Sequence, residues 1–187
     1  KKIPYIKKNK EFVVVIADTI KKLYSIPFIY ENSFGYVDNT LDILNSLKKI
    51  DNVKTIIRFR PDTTINLKVI NEIIKPFPNT HISIKGSFLN VIKEADLLVS
   101  HSSTTIEEAL NIGIPVCLYS GKNDYQHIFI TNQDKNSLIY NLSKSDIDKN
   151  ISEIISKFKK LKNNFKYNKT WNVNNNTLID KINECFK

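Results

Sequence analysis

The chain has 187 residues and no methionine, and residue 1 is lysine. An excised domain or a processed product is therefore expected. There are only two cysteines, Cys117 and Cys185. That excludes a disulfide framework and favours a reducing cytoplasm. The three histidines, His81, His101 and His127, show no metal-ligand spacing, and no HExxH or CxxC occurs; no metal site is expected. Four glycines leave no room for a Walker-type GxxxxGK[ST] loop or a GxSxG elbow. No apolar run approaches the ~18 residues that a membrane span needs. The first residues, KKIPYIKKNKEF, lack the apolar region of a secretory signal.

What is present is a basic, globular composition. Hydrophobic residues make up 41% and charged residues 25%, enough apolar content for a core. The net charge is +9. Lys157, Lys159, Lys160, Lys162, Lys166 and Lys169 cluster near the end. They read as a solvated helical face or as a contact for an anionic membrane surface or glycan. No zinc-finger spacing or RNP-like motif accompanies them, so nucleic acid is not an expected partner.

Hydrophobic periodicity predicts strands alternating with helices. Residues 1–10 read as a linker or arm. FVVVIA, residues 12–17, is a continuous β-branched run, as expected of a strand buried on both faces. Asp18 to Asn39 reads as a long loop with a short helix at Thr19 to Tyr24, and Asn39 or Thr40 as the cap of a helix LDILNSLKKI. Val53 to Arg60 is a second strand, followed by a helix capped within Asp62 to Thr64 and running through Ile74. Further strands are expected at His81–Lys85, Asp96–Ser100 and Ile114–Tyr119, and a sixth at Ile128–Thr131. Helices are expected after Gly86-Ser87, at Thr104–Ile112, at Lys135–Leu142, at Ile147–Phe165 and at Thr177–Phe186. Alternation of this kind predicts an α/β fold, a Rossmann-like doubly wound parallel sheet with helices on both faces. The organisation expected is an arm (1–10), a Rossmann-like domain (11–142) and C-terminal helices packed on it (143–187).

The richest stretch is DLLVSHSSTTIEEALNIGIPVCLY, Asp96 to Tyr119. It reads as one βαβ unit whose turn carries His101, Ser102, Ser103, Thr104 and Thr105. Open α/β sheets bind ligands at such strand ends, and hydroxyls with free backbone N–H groups suit a phosphate. Plain N-capping accounts for one hydroxyl, not four. Glu107 and Glu108 either balance the helix dipole or accept from ribose hydroxyls. Arg58 and Arg60 end the second strand, where an arginine clamps phosphate or forms a surface ion pair with Asp62. Ser33 and Gly35, then Gly86 and Ser87, lie in loops expected at the same crevice, although turn chemistry alone also explains them.

GSFLNVIKEADLLVSHSSTTIEEALNIGIPVCLY, Gly86 to Tyr119, resembles the donor-binding half of GT-B fold glycosyltransferases. Ala95-Asp96, Ser100, Glu108-Ala109, Gly113 and Pro115-Val116 match that pattern as they stand. RFRP, Arg58 to Pro61, is similar to a strand end of bacterial surface-polysaccharide transferases, and the paired serines resemble those of capsule enzymes. The resemblance implies that Ser102, Ser103 and Thr104 hold the donor phosphates, with His101 and Thr105 beside them, and that Glu108 holds the ribose. Arg58 or Arg60 would neutralise the leaving nucleotide, with no metal or other cofactor. The implied partners are a nucleotide-activated sugar donor and a glycan or glycolipid acceptor bound by another, N-terminal half. The implied setting is the cytoplasm, at the inner face of the membrane, and the domain alone would be inactive. Retaining members carry a glutamate eight positions before Glu108; here that position is Ser100, which speaks against their mechanism. The alternatives are a non-hydrolysing sugar-nucleotide epimerase, whose Ser-Gly-Gly turn is absent, and a non-catalytic Rossmann-like module docking an anionic partner.

Overall fold

A computed structural model describes residues 11–17, 33–59, 66–101, 103–119, 121 and 138–163. The FVVVIA run forms strand β1 (Phe12–Ala17), buried along its whole length. Its two faces divide cleanly. Phe12, Val14 and Ile16 join one core cluster, while Val13, Val15 and Ala17 join another. A strand covered on both faces has no need of polar alternation, hence the unbroken apolar run.

The remaining elements are α1 (Ser33–Leu47), β2 (Val53–Arg58), α2 (Leu67–Ile74), β3 (Thr80–Ser83), α3 (Phe88–Ile92), β4 (Leu97–Ser100), α4 (Thr105–Asn111), β5 (Val116–Tyr119), β6 (Ile139–Leu142) and α5 (Ile147–Asn163). They build one six-stranded sheet of order β3-β2-β1-β4-β5-β6. Every strand pair is parallel. Helices α1, α2 and α5 supply one core cluster, and α3 and α4 the other. This is the Rossmann-like doubly wound architecture expected from the sequence.

Strand β2 stops at Arg58, short of Arg60, and β3 is Thr80–Ser83, not His81–Lys85; three larger features also depart from expectation. Helix α1 begins at Ser33, not at Asn39 or Thr40. Gly35 and the nearby aromatics read as turn chemistry, yet Tyr36 is buried against Phe59, with ring centroids 6.0 Å apart. That tertiary contact outweighs the local preference. The Thr40 hydroxyl donates to Tyr36 O at 2.8 Å instead of capping, the back-bonding expected of a threonine inside a helix. Ser33 and Gly35 are therefore helical, not loop residues.

The second departure is β6. The helix expected at Lys135–Leu142 is, over Ile139–Leu142, an edge strand paired with β5. Tyr140 and Leu142 face the core while Ile139 and Asn141 are half-exposed, a period of two in a stretch too short to declare it. The third is the start of α2, where the cap is Asn66, whose side chain accepts from Lys68 N at 3.0 Å. The arm, the helices at Thr19–Tyr24 and Thr177–Phe186, the strand at Ile128–Thr131, and residues 60–65, including Arg60 and Asp62–Thr64, lie outside the described residues.

Helix α5 lies along α1. Ile147, Ile151, Ile154, Ile155 and Phe158 are its buried face, at the spacing of a helical stripe. Two carboxylates fasten its region to α1. Asp148 accepts from Ser46 Oγ at 2.6 Å and pairs with Lys49 at 2.6 Å. Asp42 accepts from Tyr119 Oη at 2.7 Å and pairs with Lys144 at 2.8 Å. Burial, then the Asp42 hydrogen bond, raise the Tyr119 phenol well above its ordinary value.

Candidate functional site

In this strand order the chain leaves β1 toward β2 on one side, and β4 lies on the other. The two connections therefore part between the carboxyl ends of β1 and β4, opening a crevice. Ala17 ends β1 and Ser100 ends β4. A cavity of ≈ 20 Å³ sits there, lined among others by Ile16, Tyr36, Asn39, Ser100, His101 and Tyr119. That is room for about one water-sized group. Ser100 is 2% exposed and His101 3%. Tyr36 Oη, Ser100 Oγ and His101 Nε2 are all buried. Among the described residues Ser100 Oγ has no hydrogen-bond partner. A buried hydroxyl left so is costly and calls for an explanation.

Past β4 the hydroxyl-rich turn takes several roles. Ser103 is buried, and its Oγ accepts from Thr105 N at 3.4 Å. Thr105 Oγ1 donates to Ala17 O at 3.5 Å, a long bond that spans the crevice floor from α4 to β1. Thr104 is exposed and makes no side-chain cap bond. Ser102 lies outside the described residues. Glu107 and Glu108 stand in the first turn of α4, both exposed.

Much of the recognised motif serves the fold. Asp96 Oδ2 accepts from Val13 N at 2.8 Å, and Asp96 N donates to Val13 O at 2.7 Å, fixing where β4 starts beside β1. Ala109 is fully buried beneath α4, where a larger side chain has no place. Gly113 has φ 82°. Its N–H donates to Leu110 O at 3.0 Å, and Ile114 N–H donates to Ala109 O at 2.9 Å. This pair of bonds is the Schellman closure, which requires a left-handed residue at that point.

Arg58, at the end of β2, is 7% exposed. Its guanidinium is turned toward the loop between β3 and α3. It donates to Ser83 Oγ at 3.4 Å, Lys85 O at 3.1 Å and Gly86 O at 2.6 Å. Gly86 has φ 77°. Ser87 caps α3, its Oγ accepting from Asn90 N at 3.4 Å.

The structure thus brings Ser100, His101, Ser103, Thr104 and Thr105 to one edge, with Glu108 behind them. Arg58, Gly86 and Ser87 form a second group on the β2–β3 side. Ser33 and Gly35 belong to the first turns of α1. The sequence reading missed Tyr36 and Asn39 as lining residues. The signal was the helical spacing of Tyr36, Thr40, Ile43, Leu44 and Leu47. Asn39 also packs against Gly121: a Cβ on Gly121, φ 64°, would collide with the Asn39 amide. Among the described residues no group of three or more His, Cys, Asp or Glu could hold a metal ion. No helix among them is long and apolar enough to cross a membrane.

The family model of the LIC12162 family transferase matches residues 2–147. The chain belongs to that transferase family. The match takes in the whole crevice, from β1 to β6. Among curated proteins none matches this family member. Among solved structures, the UDP-GlcNAc 2-epimerase from Neisseria meningitidis bound to UDP-GlcNAc is similar, with TM-score 0.53 and 18% identity over 86% of this chain and 40% of that one. The E. coli heptosyltransferase WaaC with ADP follows, with TM-score 0.49 and 11% identity over 79% of this chain and 45% of that one. The likeness to the epimerase is one of fold. The transferase chain spans less than half the length of either.

Proposed function

We propose that this transferase chain is the donor nucleotide-sugar-binding half of a glycosyltransferase acting in surface polysaccharide biosynthesis, of capsule, lipopolysaccharide or a related glycan. What carries the reading is the hydroxyl-rich turn, His101 to Thr105, lying at the switch point of a chain that belongs to a transferase family. The assignments follow from chemistry. Ser102, Ser103, Thr104 and Thr105, with His101, are assigned to the donor phosphates. Glu108 takes the ribose hydroxyls. Arg58 or Arg60 supplies positive charge on the β2 side as the nucleotide departs. A leaving group so surrounded by donors needs no metal in this scheme.

The acceptor, a glycan or glycolipid, is bound in this scheme by another α/β half, and the domain is inactive without it. Of the α5 lysines, the exposed Lys160 suits contact with an anionic membrane face from the cytoplasmic side, whereas Lys157 donates to Tyr140 Oη at 2.8 Å and Lys159 to Asp51 O at 2.6 Å. Isothermal titration against UDP-, CMP- and GDP-sugars tests the proposal. Saturable binding of one nucleotide class, weakened by Thr104→Ala with Thr105→Ala, is expected. No binding of any nucleotide at millimolar concentration would sink it.

The epimerase reading gains support from the fold shared with an enzyme bound to UDP-GlcNAc. The turn Ser102-Ser103-Thr104-Thr105 has no glycine, unlike the Ser-Gly-Gly turn that such enzymes use. Incubation with UDP-GlcNAc in deuterated water separates the two: deuterium incorporation at C2 would favour epimerisation.

A further inference from the structure

We infer that Arg58 is a positioning residue of the crevice, acting through the β3–α3 loop instead of on the donor itself. The inference rests on the reading of the crevice as a nucleotide-sugar site and refines one of its assignments. A phosphate-binding arginine presents its fork to the ligand. The Arg58 fork is turned inward, onto two successive backbone carbonyls, Lys85 O at 3.1 Å and Gly86 O at 2.6 Å, and the Ser83 hydroxyl at 3.4 Å. Three of the five N–H donors of a guanidinium are engaged in this way.

The loop has need of such an anchor. Among the described residues strand β3 is at the sheet's edge and pairs with β2 alone. Arg58 is the last residue of β2, level with Ser83 in the register. From there the side chain reaches forward along the sheet and gathers in the next strand's exit. A lysine cannot do the same, since a single ammonium lacks the planar pair of donors that meets adjacent carbonyls together.

The fixed loop has an outward side. Gly86 has φ 77°, and a Cβ there would meet nothing within 4 Å among the described residues. Glycine is therefore required by the backbone angle and not by crowding, and the α-carbon faces open room. One residue later Ser87 starts α3. The buried guanidinium thus sets both the path of the Gly86 turn and the origin of α3, at the carboxyl end of the sheet on the β2–β3 side of the crevice.

The test uses the full chain with Arg58→Lys and Arg58→Ala. Amide hydrogen exchange is read at residues 84–88 without ligand, and nucleotide affinity is read by titration at two salt concentrations. In Arg58→Lys, exchange at these amides should rise by about tenfold or more. Affinity should fall about tenfold in both variants, and in Arg58→Ala with the salt dependence of the wild type, because no charge contacting the ligand has been lost. Millimolar guanidinium should restore both properties in Arg58→Ala, and equal sodium should not. Wild-type affinity in Arg58→Lys together with loss in Arg58→Ala would overturn the inference, since charge alone would then suffice. Unchanged exchange in both variants would overturn it as well. If the wild type binds no nucleotide, the donor reading fails and takes the role in donor binding with it; the exchange data still decide whether Arg58 fixes the loop. Should Arg58→Ala not fold, Arg58→Lys carries the decision.

Discussion

Ser100 sets a stability against a use. Its hydroxyl is buried and lacks a partner among the described residues, so Ser100→Ala removes a desolvated polar group without opening a cavity. The variant is expected to match or exceed the wild type in stability, by up to about 1 kcal/mol in urea unfolding. Nucleotide affinity should fall in the same variant if a ligand oxygen satisfies that hydroxyl. Gly113 behaves in the opposite way. Its φ of 82° suits glycine, and Gly113→Ala should cost about 1 kcal/mol with no direct effect on the crevice. Asp96→Ala should cost about 1.5–3 kcal/mol, as it strips a charged acceptor from Val13 N. At this scale the motif that gave the resemblance separates into two sets. Asp96, Ala109 and Gly113 are legible from sequence because the fold demands them, whereas Ser100, with no partner among the described residues, and the exposed Thr104 and Glu108 are not demanded by the fold in that way. Their chemistry could be named from sequence, but the burial of Ser100 and His101 could not, because burial depends on α1 crossing above them.

Among elements, the α1–α5 pair is the most responsive to pH. The Lys49 and Ser46 hydrogen bonds hold the Asp148 carboxyl below the usual carboxylate range. A lowered folded value means that the native state favours the ionised form. The stabilisation is therefore complete above the ordinary carboxylate value and is lost as the pH falls through the lowered one. Lys144 has the opposite sense. Asp42 raises it, and its contribution is full below the ordinary lysine value and fades as the pH rises through the raised one. Urea midpoints of wild type and Asp148→Asn should differ near neutrality and converge in acid. A difference that persists there would place the effect elsewhere. In the interior of the same pair, Ile151→Ala should cost about 2–5 kcal/mol, since Ile151 is fully buried. Helix α5 was legible because its apolar residues recur over four turns. The first turns of α1 were not, since Gly35 and the surrounding aromatics carry turn chemistry and only the Phe59 ring reveals what Tyr36 packs against. Strand β6 failed for a third reason: four residues hold two repeats of the strand period and barely one of the helical period, and pairing with β5 decides the matter.

The whole molecule offers an internal reporter. Cys117 is fully buried in β5, and burial pushes its thiol well above the ordinary range. In a Cys185→Ser background, a thiol reagent should leave the native protein unmodified and label Cys117 at the rate of global opening. Rapid labelling without denaturant would show that β5 opens on its own. The sheet also has an order in time. Strand β1, made first, is a central strand, flanked by β2 and β4. The β1–β2–β3 side draws on near neighbours in sequence, whereas the seam with β4 joins Val15 to Leu98. Contacts with larger sequence separation form more slowly. On a ribosome, then, the β1–β3 side is complete while the far flank of β1 is still bare, and the crevice edge carrying His101 to Thr105 is among the last parts to be assembled. A nascent chain arrested before β4 would display a half-sheet with one sticky central edge, a natural foothold for a chaperone.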